Sequence, residues 1–219
     1  MKVGLIGGTG PAGRALAARL ASVGVEVIIG SRSSERAEDI VEEMAREWPD
    51  HQLPIRGAQN EQAAEPELVV IATPWDSAPA MAASMAPLLV DKVVASMANA
   101  LVKVGDELHP LIPARGSIAA EVQAAAPRAM VAAAFQHLPA RHLGDLDHPI
   151  ESDVLICSDH PQATKAVADL VRLIPGLRPI DAGTLAAAAP VEAFTAVLAS
   201  VNIRYRARSA VRLTGIDSS

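Results

Sequence analysis

The sequence predicts an α/β protein: a doubly wound, mainly parallel sheet, followed by a small C-terminal α/β extension that ends in a long helix. Three observations predict it. Short runs rich in Val and Ile recur without alternating polarity, as in strands buried on both faces. Helical stretches separate them, the pattern of repeated strand-helix-strand units. A glycine cluster, Gly8-Thr9-Gly10-Pro11-Ala12-Gly13, sits where the first run gives way to the first helix.

The elements follow in order. KVGLI (2–6) is a β-rich run, and residues 11–24 carry Leu16, Leu20 and Val23 at helical spacing before Gly24. VEVII (25–29) is the second strand. A polar helix over about 33–48, a short strand at LPIRG, a brief helix over 59–65 and the strand LVVIAT (68–73) come next. Then come a helix in DSAPAMAASMAPLL, a strand in KVVAS (92–96), a Pro- and Gly-punctuated loop over 99–116, a helix over 117–125 and a strand in AMVAAAF (129–135). A smaller region starts at HLPARHLGDLDHP and supplies the strand DVLIC (153–157), a helix over 161–174 and the strand LRPID (177–181). The last forty residues read as one long helix after a turn at Gly183. Residues 1–136 are thus expected as one domain and 137–219 as a second, smaller one.

Composition narrows the function. The 219 residues hold two Trp, two Phe and one Tyr and carry a net charge of −6, which argues against a nucleic-acid binder needing aromatic platforms and a basic groove. Cys157 is the only cysteine, so no internal disulfide forms and a reducing cytoplasm fits. The N-terminus lacks the apolar core and cleavage pattern of a signal peptide. The longest apolar tract, 185–201, is interrupted by Pro190 and Glu192 and is not read as a membrane span. His109, His142, His148 and His160 lack metal-ligand spacing, and no metal is expected.

The glycine cluster has the spacing G-x-G-x-x-G of a Rossmann-type nucleotide loop. Gly8 serves the tight turn, Gly10 lets backbone amides approach a pyrophosphate, and Gly13 permits close helix packing. The helix N-terminus adds positive potential, Pro11 suits its first turn, and Thr9 places a hydroxyl beside the phosphates. About twenty residues on, a NAD-binding chain carries Asp or Glu for the ribose hydroxyls. Here the positions are Ser31 and Arg32, with Arg36 a turn further. A hydroxyl and two guanidiniums suit the 2′-phosphate of NADP, which an acid would repel. The alternative is a solvated helix start whose arginines pair with Glu35 or Glu38. In ATPWDSA (72–78), Thr73, Pro74 and Trp75 close a strand at the edge where ligands of such sheets sit. Asp76 is available there as a helix cap.

Acid-base candidates are few. Tyr205 is followed by Arg208 rather than by the lysine of a Tyr-x-x-x-Lys set, which leaves His137, at a strand end, as the candidate donor to a substrate carbonyl. A lone His there also serves as a hydrogen-bonded structural residue. A thin acid-base set fits hydride exchange between two stacked rings, which needs proximity and alignment above all.

The stretches MKVGLIGGTGPAGRALAARLASVGVEVIIGSRSSERAE, ATPWDSA, HLPARHLGDL, DVLICSD and IPGLRPIDAG resemble, in order and spacing, the NADPH-dependent reductases of the deazaflavin coenzyme F420. The resemblance extends to about residue 202. It implies a Rossmann domain with a small C-terminal part that completes the deazaflavin site, a homodimer, and reversible hydride transfer between nicotinamide C4 and deazaflavin C5. By this resemblance Thr9, Pro11, Ala12, Ser31, Arg32 and Arg36 hold NADP(H). Thr73, Pro74, Ala98 or Asn99, and Ala140 line its nicotinamide end, and His137 with Leu138 faces coenzyme F420. Some relatives read His-Thr-Ile-Pro-Ala where this chain has Gln136-His137-Leu138-Pro139-Ala140. The C-terminal NIRYRARSAVRLTGIDSS also diverges.

In a continuous helix Arg204, Arg208 and Arg212 share one face and are expected to attract the coenzyme's phosphodiester and glutamate tail. A solvated or dimer-facing basic stripe is the alternative. The alanine-rich last helix, too apolar for a small domain to bury alone, suggests a dimer seam. Two other readings stay open: an NADPH-dependent reductase of flavin, ferric ion or a small carbonyl or imine, and a non-catalytic NADP-sensing module.

Overall fold

The computed structural model describes residues 1–105 and 107–216. Eight strands form one sheet: β1 (Lys2–Ile6), β2 (Glu26–Ser31), β3 (Ile55–Gln59), β4 (Leu68–Ile71), β5 (Val93–Ser96), β8 (Met130–Ala133), β9 (Ser152–Ser158) and β10 (Leu177–Asp181). Their order is β10-β9-β8-β5-β4-β1-β2-β3. From β3 to β8 every pairing is parallel, and the direction of winding reverses between β1 and β4, the switch point at which doubly wound sheets open a crevice.

Alternate residues of β1 explain why both faces are covered. Val3 and Leu5 enter one apolar cluster and Ile6 the other, and all three are fully buried, each contributing roughly 1.5–3 kcal/mol. The first cluster is roofed by α1 (Pro11–Ser22), α2 (Ser34–Glu47), α6 (Ala140–Leu143) and α7 (Pro161–Arg172). The second lies under α3 (Asn60–Ala63), α4 (Ala78–Met85), α5 (Ile118–Ala125) and α8 (Ala188–Tyr205). Small residues let these layers close up: a Cβ at Gly4 would lie 1.7 Å from the Ala63 carbonyl oxygen.

Beyond β8 the chain reverses. β9 pairs antiparallel to β8, with Ala132 opposite Ser158 and Ala133 opposite Cys157, and β10 is parallel to β9. The start of β9 therefore lies at the edge where β4, β5 and β8 end. β9 and β10 continue the sheet past residue 136.

The structure differs from the sequence expectation in two segments. The stretch 99–116 contains an antiparallel hairpin, β6 (Leu101–Val104) and β7 (Glu107–Pro110), flanking Gly105 at φ 61°. Its strands are short and mostly exposed, so no apolar run marks them. The chain after Gly183 is not one helix to the end: α8 stops at Tyr205, Arg206 is left-handed at φ 49°, and residues 207–216 are non-helical. Asn202 ends the helix. Its carbonyl accepts from the Ala207 N–H at 3.1 Å and its side-chain oxygen accepts from the Ser209 N–H.

Helix α8 is anchored by Glu192, 4% exposed, whose carboxylate accepts the N–H groups of Ile118 (2.8 Å) and Ala119 (3.1 Å) at the start of α5. With the turn before it (Leu185–Tyr205), the helix is apolar and long enough to cross a membrane by length and composition, with 22% of its most apolar window buried. Phe194, Val197 and Ile203 are exposed along it.

Candidate functional site

The nucleotide loop joins β1 to α1. Gly7 takes the left-handed turn (φ 66°), one residue before the position the glycine spacing had assigned, and its N–H donates to Asn60 Oδ1 at 3.0 Å. Gly8 is needed for space, since a Cβ there would come within 2.8 Å of Leu5. Gly13 presses α1 onto the loop: a Cβ would sit 2.6 Å from the Gly8 carbonyl oxygen. At Gly10 an added Cβ meets nothing within 4 Å, leaving open space above the backbone. Gly10 is the N-cap of α1, Pro11 its first residue, and no side chain caps it. The first-turn amides, Ala12 and Gly13 among them, thus keep their hydrogen-bonding capacity for an anion.

Ser31 ends β2, 8% exposed, and its hydroxyl accepts from the Ser33 N–H at 3.4 Å. Ser33 caps α2 by accepting the Arg36 N–H at 3.3 Å, which fixes Arg36 in the first turn. Arg32 and Arg36 are exposed, and among the described residues neither guanidinium has an acid within 4.0 Å. The alternative pairing with Glu35 or Glu38 does not form. Two unneutralised cations and a hydroxyl thus stand at the end of β2, where an adenosine ribose would lie.

The crevice floor is built from three adjacent strand ends. Thr73 follows β4 and packs on the loop, its methyl so close that a Cβ on Gly7 would lie 2.2 Å away. Pro74 and Trp75 continue from it, and Ser77, not Asp76, is the N-cap residue of α4. Ser96 ends β5 and leads to Ala98 and Asn99. Asn99 Nδ2 donates to the main-chain oxygen of Gln136 at 2.8 Å, and Thr195 Oγ1 of α8 donates to the same oxygen at 3.4 Å. Here Thr73 Oγ1, Ser96 Oγ and both polar atoms of the Gln136 amide are buried without a partner. Native interiors leave few such groups unpaired unless a ligand uses them.

Gln136, Ser96 and Thr195 were not among the residues singled out from the sequence. Gln136 had a signal, its place in the stretch where relatives carry His; the other two had none.

The turn that carries Gln136 is strained. Phe135, 1% exposed, has φ 68°, a conformation costing about 1–3 kcal/mol in a non-glycine residue. His137 Nε2 donates to the Asp153 carbonyl at 2.8 Å; its Nδ1 is then a bare acceptor, buried and without a partner. Burial holds its pKa below the usual value against the opposing pull of Asp153. The ring is neutral and its donor is committed to β9, so it is not free to donate to a substrate carbonyl. Leu138 is buried beside it.

Ala140 falls in a different part of the site. With Thr9, Pro11, Arg14, Trp48, Arg141 and Asp145 it lines a cleft of about 500 Å³ along the outer side of α1.

The structure does not form the expected arginine stripe. Only Arg204 lies in α8, where it meets Glu107 at 3.6 Å. Arg208 pairs with Asp145, and Arg212 lies 3.6 Å from Asp153. Asp153, fully buried, is gripped by Arg178 through two 2.8 Å bonds and by the Leu213 N–H, which fastens residues 207–216 to β9.

Comparison with known proteins gives consistent matches. The family described as "NADP oxidoreductase coenzyme F420-dependent" matches residues 2–100. The chain is 34% identical over 223 residues to the F420-dependent NADP reductase of Methanocaldococcus jannaschii, covering 99% of this chain and 100% of that protein. It is 33% identical over 226 residues to the protein of that name from Methanothermobacter marburgensis, covering 99% of each. A crystal structure from Arthrobacter sp. FB24, assigned there as an F420-dependent NADP reductase, superposes with a TM-score of 0.82 at 25% identity, over 98% of this chain and 99% of that one.

Proposed function

The chain belongs to the family of F420-dependent NADP reductases, and from that membership and the site we infer that it transfers a hydride between NADP(H) and coenzyme F420. With both coenzymes bound, nicotinamide C4 and deazaflavin C5 exchange the hydride, and deazaflavin reduction takes up one proton. One observation at the site supports this most strongly. Beyond an uncapped nucleotide loop, three adjacent strand ends present buried, unpaired polar atoms and no charged acid-base group.

In this reading, the loop amides at Gly10, Ala12 and Gly13 hold the pyrophosphate with help from Thr9 and the α1 dipole. Ser31, Arg32 and Arg36 hold the 2′-phosphate. Thr73, Pro74, Trp75, Ala98 and Asn99 bound the nicotinamide, with Ala140 where the crevice meets the outer cleft. The Gln136 amide offers one donor and one acceptor side by side, which matches a carboxamide or the imide edge of a deazaflavin. Leu138 supplies an apolar wall, and His137, neutral and bonded to β9, holds that wall in place. Such a site aligns two rings and excludes water.

The protein works as a homodimer in the cytoplasm. The exposed Phe194, Val197 and Tyr205 lie along one side of α8 and present an apolar face that a second copy would cover. Cys157 is the only cysteine and is buried, its thiol pushed up to about 11 mainly by burial.

The test is to mix the protein with NADPH and oxidised F420 and follow the deazaflavin band near about 420 nm, with flavin in place of F420 as the control. Bleaching of F420 and not of flavin is expected. Turnover of flavin alone, or binding of NADPH without turnover, overturns the reading.

A further inference from the structure

Asp153 lies near the start of β9, fully buried, and its side chain and main chain serve different neighbours. The side chain serves the C-terminal segment. Arg178 of β10 donates to both carboxylate oxygens at 2.8 Å; the Leu213 N–H donates to one of them at 2.6 Å, and Arg212 lies 3.6 Å from the other. Backbone bonds fasten the same segment: the Asp153 N–H donates to the Val211 carbonyl at 2.7 Å, and Arg178 donates to the carbonyls of Leu213 (2.6 Å) and Ile216 (2.8 Å). The buried Ser152 hydroxyl lies within hydrogen-bonding distance of the Asp153 (3.0 Å) and Val211 (3.3 Å) carbonyls. Residues 211–216 are thus clasped onto the start of β9.

The Asp153 carbonyl serves the crevice wall. It accepts the His137 Nε2 proton at 2.8 Å, and the ring's other nitrogen is buried without a partner among the described residues, so this one bond fixes the imidazole. The turn that carries the imidazole does not hold its own shape. Phe135 sits at φ 68°, and such backbone persists only where its neighbours over-determine it. On one side Asn99 and Thr195 both donate to the Gln136 carbonyl; on the other stands the His137 bond to Asp153.

We propose that Asp153 is a positioning residue for hydride transfer: Arg178 and residues 211–216 clamp its carboxylate, and its carbonyl, through His137, sets the turn that places Gln136 and Leu138 in the crevice. The inference rests on the function proposed above. It joins the C-terminal segment to the chemistry without giving that segment any contact with a ligand. The phosphate loop and the residues after β2 lie in the other half of the sheet and take no part in the clasp. Loosening the clasp therefore misaligns the reacting rings and leaves the grip on the nucleotide intact; an error of about 1 Å in such alignment costs up to about a hundredfold in rate.

Two variants open the clasp from different sides. Asp153→Asn removes the charge that holds Arg178 and Arg212, and Leu213→Pro removes only an N–H at an exposed position, so a failure of the first to fold leaves the second. Comparison with Leu213→Ala separates the N–H from the side chain. At a temperature where circular dichroism shows the native fold, each opened variant should lower kcat with NADPH and F420 roughly tenfold and leave the NADPH Kd within about twofold. In a His137→Ala background the same changes should lower kcat no further, because both act through one bond. The ring N–H proton of His137, assigned in the NMR spectrum by its absence from His137→Gln, should be seen in the unaltered protein and be lost to exchange in Leu213→Pro. Equal losses of kcat with and without His137, or reduced stability with kcat and the ring proton retained, overturns the inference while leaving the function standing. Absence of F420 turnover by the unaltered protein removes the function and the inference together.

Discussion

His137 and Asp153 are joined by a 2.8 Å hydrogen bond from the imidazole Nε2 to the main-chain carbonyl, across the antiparallel seam between the end of β8 and the start of β9. The bond uses the ring's only proton, so the histidine holds the crevice wall together instead of donating to a substrate. His137→Ala should cost about 2–4 kcal/mol in urea denaturation, from the lost bond and the cavity left behind. His137→Gln, which keeps a donor at that reach, should lose less and retain kcat within severalfold. A general acid would show a fall of roughly 10²–10⁴ in both variants. Because burial lowers the histidine pKa in the folded chain, its contribution is complete above about 6.5 and is lost as pH falls below that value. Extra acid lability of wild type over His137→Gln tests the sign.

Gln136 should trade stability for binding. Its amide is buried with both atoms unpaired, a penalty of about 1–3 kcal/mol that a ligand would remove. Gln136→Leu is expected to raise Tm without ligand and to raise KM for the deazaflavin or the nicotinamide nucleotide by roughly tenfold. A variant that is destabilised and binds both normally would place the amide outside the ligand site.

Nucleotide choice should follow the two free guanidiniums. Arg32→Ala with Arg36→Ala should weaken NADPH roughly a hundredfold or more and leave NADH little changed. Fluorescence titration of both nucleotides reads this directly; a parallel loss for both would mean that the arginines serve the loop rather than the 2′-phosphate.

Glu192 should make stability depend on pH near neutrality. Burial pushes its carboxyl up to about 7, against the pull of the Ile118 and Ala119 amides. The unfolded group ionises near 4.5, so the folded chain holds a proton that the unfolded chain has lost between those values. The contribution is full below about 4.5 and falls as pH rises through 7, by on the order of 3 kcal/mol. Glu192→Gln should flatten the decline between about pH 5 and about pH 8. Parallel curves for the two proteins would refute this.

What was legible in the sequence was local. Gly8, Gly10 and Gly13 with the run KVGLI, and Ser31, Arg32 and Arg36 after VEVII, lie within single strand-turn-helix units, so spacing alone places them. The floor was legible only in part: Thr73 and Asn99 were marked by the resemblance, but Ser96 and Thr195 come from segments that meet Gln136 only once the sheet has formed. The reversal of β9 was equally hidden, since an apolar run such as DVLIC carries no sign of direction. The end of α8 escaped because a left-handed arginine and an asparagine side chain do what a glycine usually does.

The reversal at β9 also sets a timetable for synthesis. The nucleotide loop and the residues that meet it, Asn60 and Thr73, come early in the chain, whereas the crevice waits for β9 and for Thr195. A ribosome adding about 5–20 residues per second therefore releases the phosphate-loop segment on the order of ten seconds before the residues that close the ring chamber.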